Sequence, residues 1–204
     1  MADNIHVALV DDDAAVRDAL QLFLTRRRVR ITCFESAQAF LEANGDAFDC
    51  VVTDVRMPGM SGLDLVHHLI GRGWMRPIIL ITGHGDVDMA VSAVKSGAFD
   101  FIEKPFDENR LLASIRDAVE KWRQRANDAA EQEKVLARFE LLSTRQRQVM
   151  DLAAAGLSSK EIGAKLNISP KTVDNHRAWV MLRMGARNVA ELVRIAMQLE
   201  RQAH

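Results

Sequence analysis

Cys50-Val51-Val52-Thr53-Asp54-Val55-Arg56-Met57-Pro58-Gly59 is the stretch whose reading decides the fold. An apolar run ends on a carboxylate and meets a Pro-Gly turn, the pattern of a short buried strand with an acid at its C-terminal end. Two more runs end on charge. Residues 5–10 run into Asp11-Asp12-Asp13, and Phe99-Asp100-Phe101-Ile102 leads to Lys104-Pro105. Residues 77–82 form another apolar run, closed by Thr82, and residues 29–34 a weaker one. Helical patterns lie between them, over 14–27 (Val16, Leu20, Phe23 and Leu24 on one face), 36–44, 62–71 and 86–96. Alternating strands and helices predict an α/β unit, a five-stranded parallel sheet with helices on both faces. Ligands of such sheets sit outside the strand C-termini. Asp11, Asp12, Asp54, Thr82 and Lys104 all fall at such ends.

Carboxylates and an ammonium in one crevice suit phosphoryl chemistry. A carboxylate can attack a phosphoryl donor to give an aspartyl phosphate. The protein's task is then positioning and cancelling charge on the equatorial oxygens. On this reading Asp12 and Asp54 hold Mg²⁺, with Asp11 in support through water and the Arg56 carbonyl as a third protein oxygen, since this ion keeps waters and needs few carboxylates. Lys104 pairs with one phosphoryl oxygen and Thr82 offers its hydroxyl to another. Each residue alone has an ordinary reading: Asp13 as a helix N-cap, Thr82 as a strand-end hydroxyl, Lys104 as a solvated lysine. Their order at successive strand ends favours the joint one.

The chain has 204 residues, room for one large or two small domains. At 48% apolar and 27% charged residues it reads as an ordinary globular protein. No apolar run approaches the roughly 20 residues that span a bilayer, and Met1-Ala2-Asp3-Asn4 does not open a signal peptide. The expected compartment is the cytoplasm, with no membrane partner. Cys33 and Cys50 then read as buried free thiols. Charge divides the chain: residues 1–126 carry 15 Lys and Arg against 19 Asp and Glu, residues 127–140 carry 2 against 4, and residues 141–204 carry 10 against 5. An acidic front and a basic tail suggest a cation at one and a polyanion at the other.

No Gly or Pro interrupts residues 107–155, so a long helix is expected to lead out of the α/β unit. Leu112, Ile115, Val119, Trp122, Ala126, Ala129 and Leu136 recur at heptad-like spacing, which fits either a dimer seam or a solvated linker helix. Residues 141–200 read as four short helices with breaks at Gly156-Leu157-Ser158, Asn167-Ile168-Ser169-Pro170 and Gly185-Ala186-Arg187-Asn188. Ser158 with Glu161 is a capping box, and Ser169 caps a helix that starts on Pro170. Helix, tight turn, helix is the layout of a helix-turn-helix. Val173, Trp179, Val180, Leu182 and Met184 are expected to anchor its second helix over Ile162, Leu166 and Ile168. Lys171, Asp174, Asn175 and Ala178 share the outward face. A helical bundle with a merely solvated surface is the ordinary alternative.

These residues carry a resemblance. Val10-Asp11-Asp12-Asp13, Thr53-Asp54-Val55-Arg56-Met57-Pro58-Gly59-Met60-Ser61-Gly62, Ile81-Thr82-Gly83-His84-Gly85-Asp86 and Glu103-Lys104-Pro105-Phe106 resemble the receiver domain of bacterial two-component response regulators, over roughly residues 5–120. Leu142-Ser143-Thr144-Arg145-Gln146-Arg147, Ala155-Gly156-Leu157-Ser158-Ser159-Lys160-Glu161-Ile162-Gly163 and Ile168-Ser169-Pro170-Lys171-Thr172-Val173-Asp174-Asn175-His176-Arg177 resemble the LuxR-type DNA-binding domain. The whole chain is similar to the FixJ/NarL class, leaning toward the FixJ branch.

The resemblance implies a flavodoxin-like receiver over 4–121, a helical linker over 122–140 and a LuxR-type helix-turn-helix domain over 141–204. It implies that Asp54 accepts phosphate from a cognate sensor histidine kinase with Mg²⁺, that Lys104-Pro105 is cis, and that Phe101 is the switch aromatic, often Tyr. It implies a homodimer on phosphorylation, with double-stranded promoter DNA and RNA polymerase as partners, and no enzyme beyond the receiver's own phosphoryl transfer and slow autodephosphorylation. By analogy Lys160, Thr172 and Arg177 touch phosphates, Asp174, Asn175 and Ala178 face bases with Lys171 beside them, and His176 is structural or a phosphate contact. Gln146 departs from the usual Glu, for which a small stability change is expected. The rivals are a haloacid-dehalogenase-like phosphatase, which places its nucleophile on the first strand, and a receiver joined to a protein-docking bundle.

Overall fold

Strand register explains how residues far apart in sequence meet. In the computed structural model, which describes residues 4–43, 47–83 and 95–200, five strands pair in parallel in the order β2-β1-β3-β4-β5. They are β1 (His6–Val10), β2 (Arg30–Phe34), β3 (Cys50–Asp54), β4 (Ile78–Thr82) and β5 (Asp100–Glu103). The order reverses between β1 and β3, the switch point at which such sheets bind ligands. Val10 stands beside Thr53, and Thr82 beside Glu103. The next residues along the chain, Asp11, Asp54, Gly83 and Lys104, therefore emerge at one edge of the sheet.

Alternating strand residues feed two cores, because successive side chains point to opposite faces. Val7, Leu9, Val52, Ile79, Ile81 and Ile102 pack on one face with Leu20 and Leu24 of α1 (Ala14–Arg26) and with Leu111 and Ile115 of α4 (Glu108–Glu140). Ala8, Val10, Val51, Ile78 and Leu80 pack on the other with Phe40 of α2 (Ala37–Leu41) and Leu65, Val66 and Leu69 of α3 (Gly62–Gly71). β3 and β4 are buried at every position, which accounts for their uninterrupted apolar runs. The helix expected over 36–44 is shorter than that pattern, and the one expected over 86–96 falls largely outside the described residues.

The chain forms two compact units, the first ending at Arg125 and the second beginning at Ala126. α4 runs through that boundary. Its first turns bury Leu111, Leu112, Ile115, Ala118 and Val119, and residues 124–134 are exposed. The heptad reading named Leu136 as its last apolar position. The structure corrects this: Val135 is buried and Leu136 is 42% exposed. Residue 135 faces the core of the second unit, so a different helical face is in use there.

In the second unit α5 (Thr144–Ala154), α6 (Ser159–Leu166), α7 (Pro170–Met184) and α8 (Val189–Glu200) enclose Val149, Met150, Ile162, Val173, Val180, Met184 and Leu192. Capping boxes start α5 at Ser143 and α6 at Ser158, and Ser169 caps α7 with Pro170 at its first position. Gln146 closes the α5 box, accepting the Ser143 N–H at 2.9 Å, so the position where the family usually has Glu keeps a local structural bond. The expected anchors of α7 need a second correction. Trp179 is 53% and Leu182 73% exposed. At about 100° per residue, Val180 and Met184 return to the side of Val173, whereas Leu182 lies about 180° away.

The turn that joins α6 to α7 folds back so closely on α6 that a Cβ on Gly163 would sit 2.7 Å from the Ile168 carbonyl oxygen. Gly163→Ala should therefore destabilise the second unit by about 1–3 kcal/mol. Gly71→Ala, which meets open space, should leave stability unchanged or slightly higher. Urea unfolding followed by helical circular dichroism separates the two.

Candidate functional site

The acidic crevice is organised by one ammonium. Lys104 Nζ lies 2.7 Å from Asp54 Oδ1 and 3.0 Å from Asp11 Oδ2. Each carboxylate is held at its other oxygen by a backbone N–H: Asp11 Oδ1 accepts from Asp13 at 2.9 Å, and Asp54 Oδ2 from Arg56 at 2.6 Å. Asp11 and Asp54 are 1% and 6% exposed, and Thr82 is fully buried. Asp12 stands exposed beside them. Asp13 caps α1 through the Ala15 N–H. The Lys104 N–H donates to the Thr82 carbonyl at 2.6 Å, joining the ends of β4 and β5. Lys104-Pro105 is cis. Phe101 is half-buried against the Phe40 and Leu65 side of the sheet.

Burial pushes the Asp11 carboxyl above its usual range, and the Asp13 N–H and Lys104 only partly offset it. For Lys104, burial acts to lower the pKa, but the bonds and charges of Asp54 and Asp11 outweigh it and hold the ammonium above its usual range. The donor set is oxygen-rich and hard, as Mg²⁺ prefers. Among the described residues no group of three His, Cys, Asp or Glu side chains is placed to hold a metal ion. An ion that takes one or two carboxylates and keeps its waters does not need such a group.

Sequence reasoning missed two participants. Arg17 on the first turn of α1 donates to the Asp11 carbonyl at 2.7 Å, and no spacing rule singles it out. Ser159 bonds Asp174 at 2.5 Å and receives Arg177 at 3.5 Å, tying α6 to α7. Asp174 is thus engaged within the protein. Lys160, Lys171, Asp174, Asn175 and Ala178 are exposed, and Thr172, His176 and Arg177 are half-buried. Leu182 and Trp179 lengthen the outward side of α7 with apolar surface.

Comparison with known proteins decides the family. Residues 7–116 match the response regulator receiver domain, and residues 140–196 match the bacterial regulatory proteins of the luxR family. The transcriptional regulatory protein FixJ of Bradyrhizobium diazoefficiens is 46% identical over 199 residues, 97% of each chain. The chain belongs to the two-component response regulators. Full-length FixJ from B. japonicum, known from crystals, is 45% identical with a TM-score of 0.63, covering 97% of this regulator and 98% of that chain. The response regulator StyR is 36% identical with a TM-score of 0.81, covering 96% and 99%.

The regulator therefore controls transcription through a flavodoxin-like receiver and a LuxR-type DNA-binding domain. The phosphatase and protein-docking rivals fall away, because the relatives are DNA-binding regulators. Receiver domains generally bind Mg²⁺ at their acidic pocket. No described helix of the regulator is long and apolar enough to cross a membrane.

Removing the central ammonium tests the electrostatics. Lys104→Met leaves two buried carboxylates facing each other. At pH 7 it should cost roughly 2 kcal/mol, below the about 3–5 of a fully buried pair because the lysine is 26% exposed. The Asp11 carboxyl, already held above its usual range by burial, then loses the lysine that partly offset that shift. Protonation of a carboxyl raised in the folded state favours folding as pH falls through its range, so the deficit against wild type should shrink by pH 5. Urea unfolding at the two pH values measures it.

Proposed function

We propose that Asp54 is the phosphate acceptor and that its phosphorylation by a cognate histidine kinase gates dimerisation and sequence-specific DNA binding. The single observation that carries this reading is the Lys104 ammonium shared by Asp54 and Asp11 at the sheet's switch point. Asp54 Oδ attacks the phosphorus, the bond from phosphorus to the kinase imidazole nitrogen breaks, and that nitrogen keeps the electron pair. The Arg56 N–H orients the carboxylate by binding its second oxygen. Lys104 exchanges part of its carboxylate bonding for a transferred phosphoryl oxygen. Asp12, Asp54 and the Arg56 carbonyl would hold Mg²⁺, with Asp11 in support through water, and the ion would neutralise charge on the phosphoryl oxygens.

The added negative charge supplies the differential interaction that a two-state change requires. Thr82 turns its hydroxyl toward the phosphoryl group and Phe101 fills the space behind it. Without a phenol, that ring signals by packing alone. The receiver occupies 4–121, the linker helix 122–140 and the DNA-binding domain 141–204. Two copies then present two α7 helices to paired half-sites of promoter DNA, within reach of RNA polymerase.

On α7, Asn175 is the outward amide suited to bidentate contact with adenine. Lys160, Lys171, Thr172, His176 and Arg177 serve the backbone, where phosphate neutralisation gives most non-specific affinity. Asp174 and Ala178 complete the base-facing side, with Asp174 first giving up its bond to Ser159. The cytoplasm is the compartment that this reading requires.

Asp54→Asn should take up no phosphate from acetyl phosphate with Mg²⁺ while folding normally. Intact-protein mass spectrometry reads the adduct, and labelling equal to wild type would refute the assignment. Asn175→Ala should weaken binding to a selected operator duplex by about 1–3 kcal/mol and leave random duplex nearly unchanged. Titrations at two salt concentrations compare them, and an equal loss on both duplexes would remove Asn175 from base reading.

A further inference from the structure

A second site lies at the opposite end of β4 from Thr82. Residues 72–77 lead into the first residue of that strand, and beside them opens a cleft of about 430 Å³. Its walls include Phe40, Leu69, Arg72, Trp74, Arg76 and Trp122. That volume and aromatic lining are those of small-molecule sites, which add a few fixed polar groups to an apolar wall. Here the charged side chains of the described residues share one sign. Two arginines line the cleft, and among the described residues no Asp or Glu does.

The arrangement is built rather than incidental. The Arg76 guanidinium stacks on Trp74 at 5.3 Å and on Trp122 at 5.6 Å. Trp74 is in turn held edge-on by Phe40, with centroids 6.1 Å apart at 77°. A guanidinium stacked on rings has its plane fixed, so its N–H fork points along a set direction. Arg72 is exposed at the rim. The Trp74 indole N–H is buried without a hydrogen-bond acceptor, so a small turn of the ring toward an entering acceptor would gain a bond that the present packing lacks.

We propose that this cleft binds a small amphipathic carboxylate, its apolar body against Phe40, Leu69 and Trp122 and its carboxylate on Arg72 and Arg76. The site is separate from the phosphoryl crevice and does not depend on the assignment of Asp54. It gives the receiver a second, chemical input. Trp122 belongs to α4, whose later turns lie in the second unit, so an occupant touches the element that joins the two.

Two of the three tryptophans line the cleft, and the third is Trp179. Full-length protein carrying Trp179→Phe thus has fluorescence that reports the cleft alone. It is titrated with sodium benzoate and sodium hexanoate, and with benzamide as the neutral counterpart, at constant ionic strength. The expected result is a saturable change for both carboxylates with Kd of about 1 mM or tighter. Benzamide and the additional variant Arg72→Gln should each bind about tenfold more weakly. No saturation by either carboxylate, an equal response to benzamide, or an unchanged Kd in Arg72→Gln would overturn the proposal. A signal that follows protein concentration and ignores the carboxylates would also overturn it, assigning the cleft to a second copy of the chain.

Discussion

One ammonium between two buried carboxylates sets the terms for the first unit. Asp11 and Asp54 end neighbouring strands, and burying both would be prohibitive without a cation close by. Lys104 supplies it from the far side of the sheet, 50 residues along the chain from Asp54. The pairing needs β4 between β3 and β5 and a backbone bond from Lys104 to Thr82. An anion delivered to Asp54 competes for that ammonium. On the proposed function, the same contact that makes the crevice tolerable would make it responsive, and it lies beside Thr82, next to the strand that carries Phe101.

The second unit rests on a different constraint, the closeness of α6 to the turn that joins it to α7. Gly163 lets that turn fold back on α6, and Asn167 takes a left-handed conformation (φ 54°) to end α6. Ser158 and Ser169 satisfy the orphan N–H groups where each helix begins. With its buried side fixed by Val173, Val180 and Met184, α7 has its outward side fixed too. The cross-helix bonds of Ser159 to Asp174 and Arg177 then hold polar groups in place at the surface.

The legible parts were those governed by local rules. The apolar runs ending at Asp11, Asp54 and Lys104 gave strands and their crevice, because a strand's end and its charged terminus are adjacent in sequence. Caps at Asp13, Ser158 and Ser169 were legible for the same reason. Trp179 and Leu182 were misjudged because hydrophobicity was read without phase. Leu136 failed similarly, since α4 turns a different face to the core after its exposed middle. Arg17 and Ser159 were invisible, because their partners are chosen by the packing of one element on another.

The order of residues by itself determined the α/β unit, the basic helical tail and the charged groups at the ends of the strands. Those follow from periodicity, from capping and from which side chains can bear charge, all properties of a few neighbouring residues. Only the tertiary structure decided that Lys104 is shared by Asp11 and Asp54 and that Arg76 stacks on both Trp74 and Trp122. Such meetings depend on strand order and helix phase, which position distant residues to within an ångström. No local pattern encodes a distance of that kind.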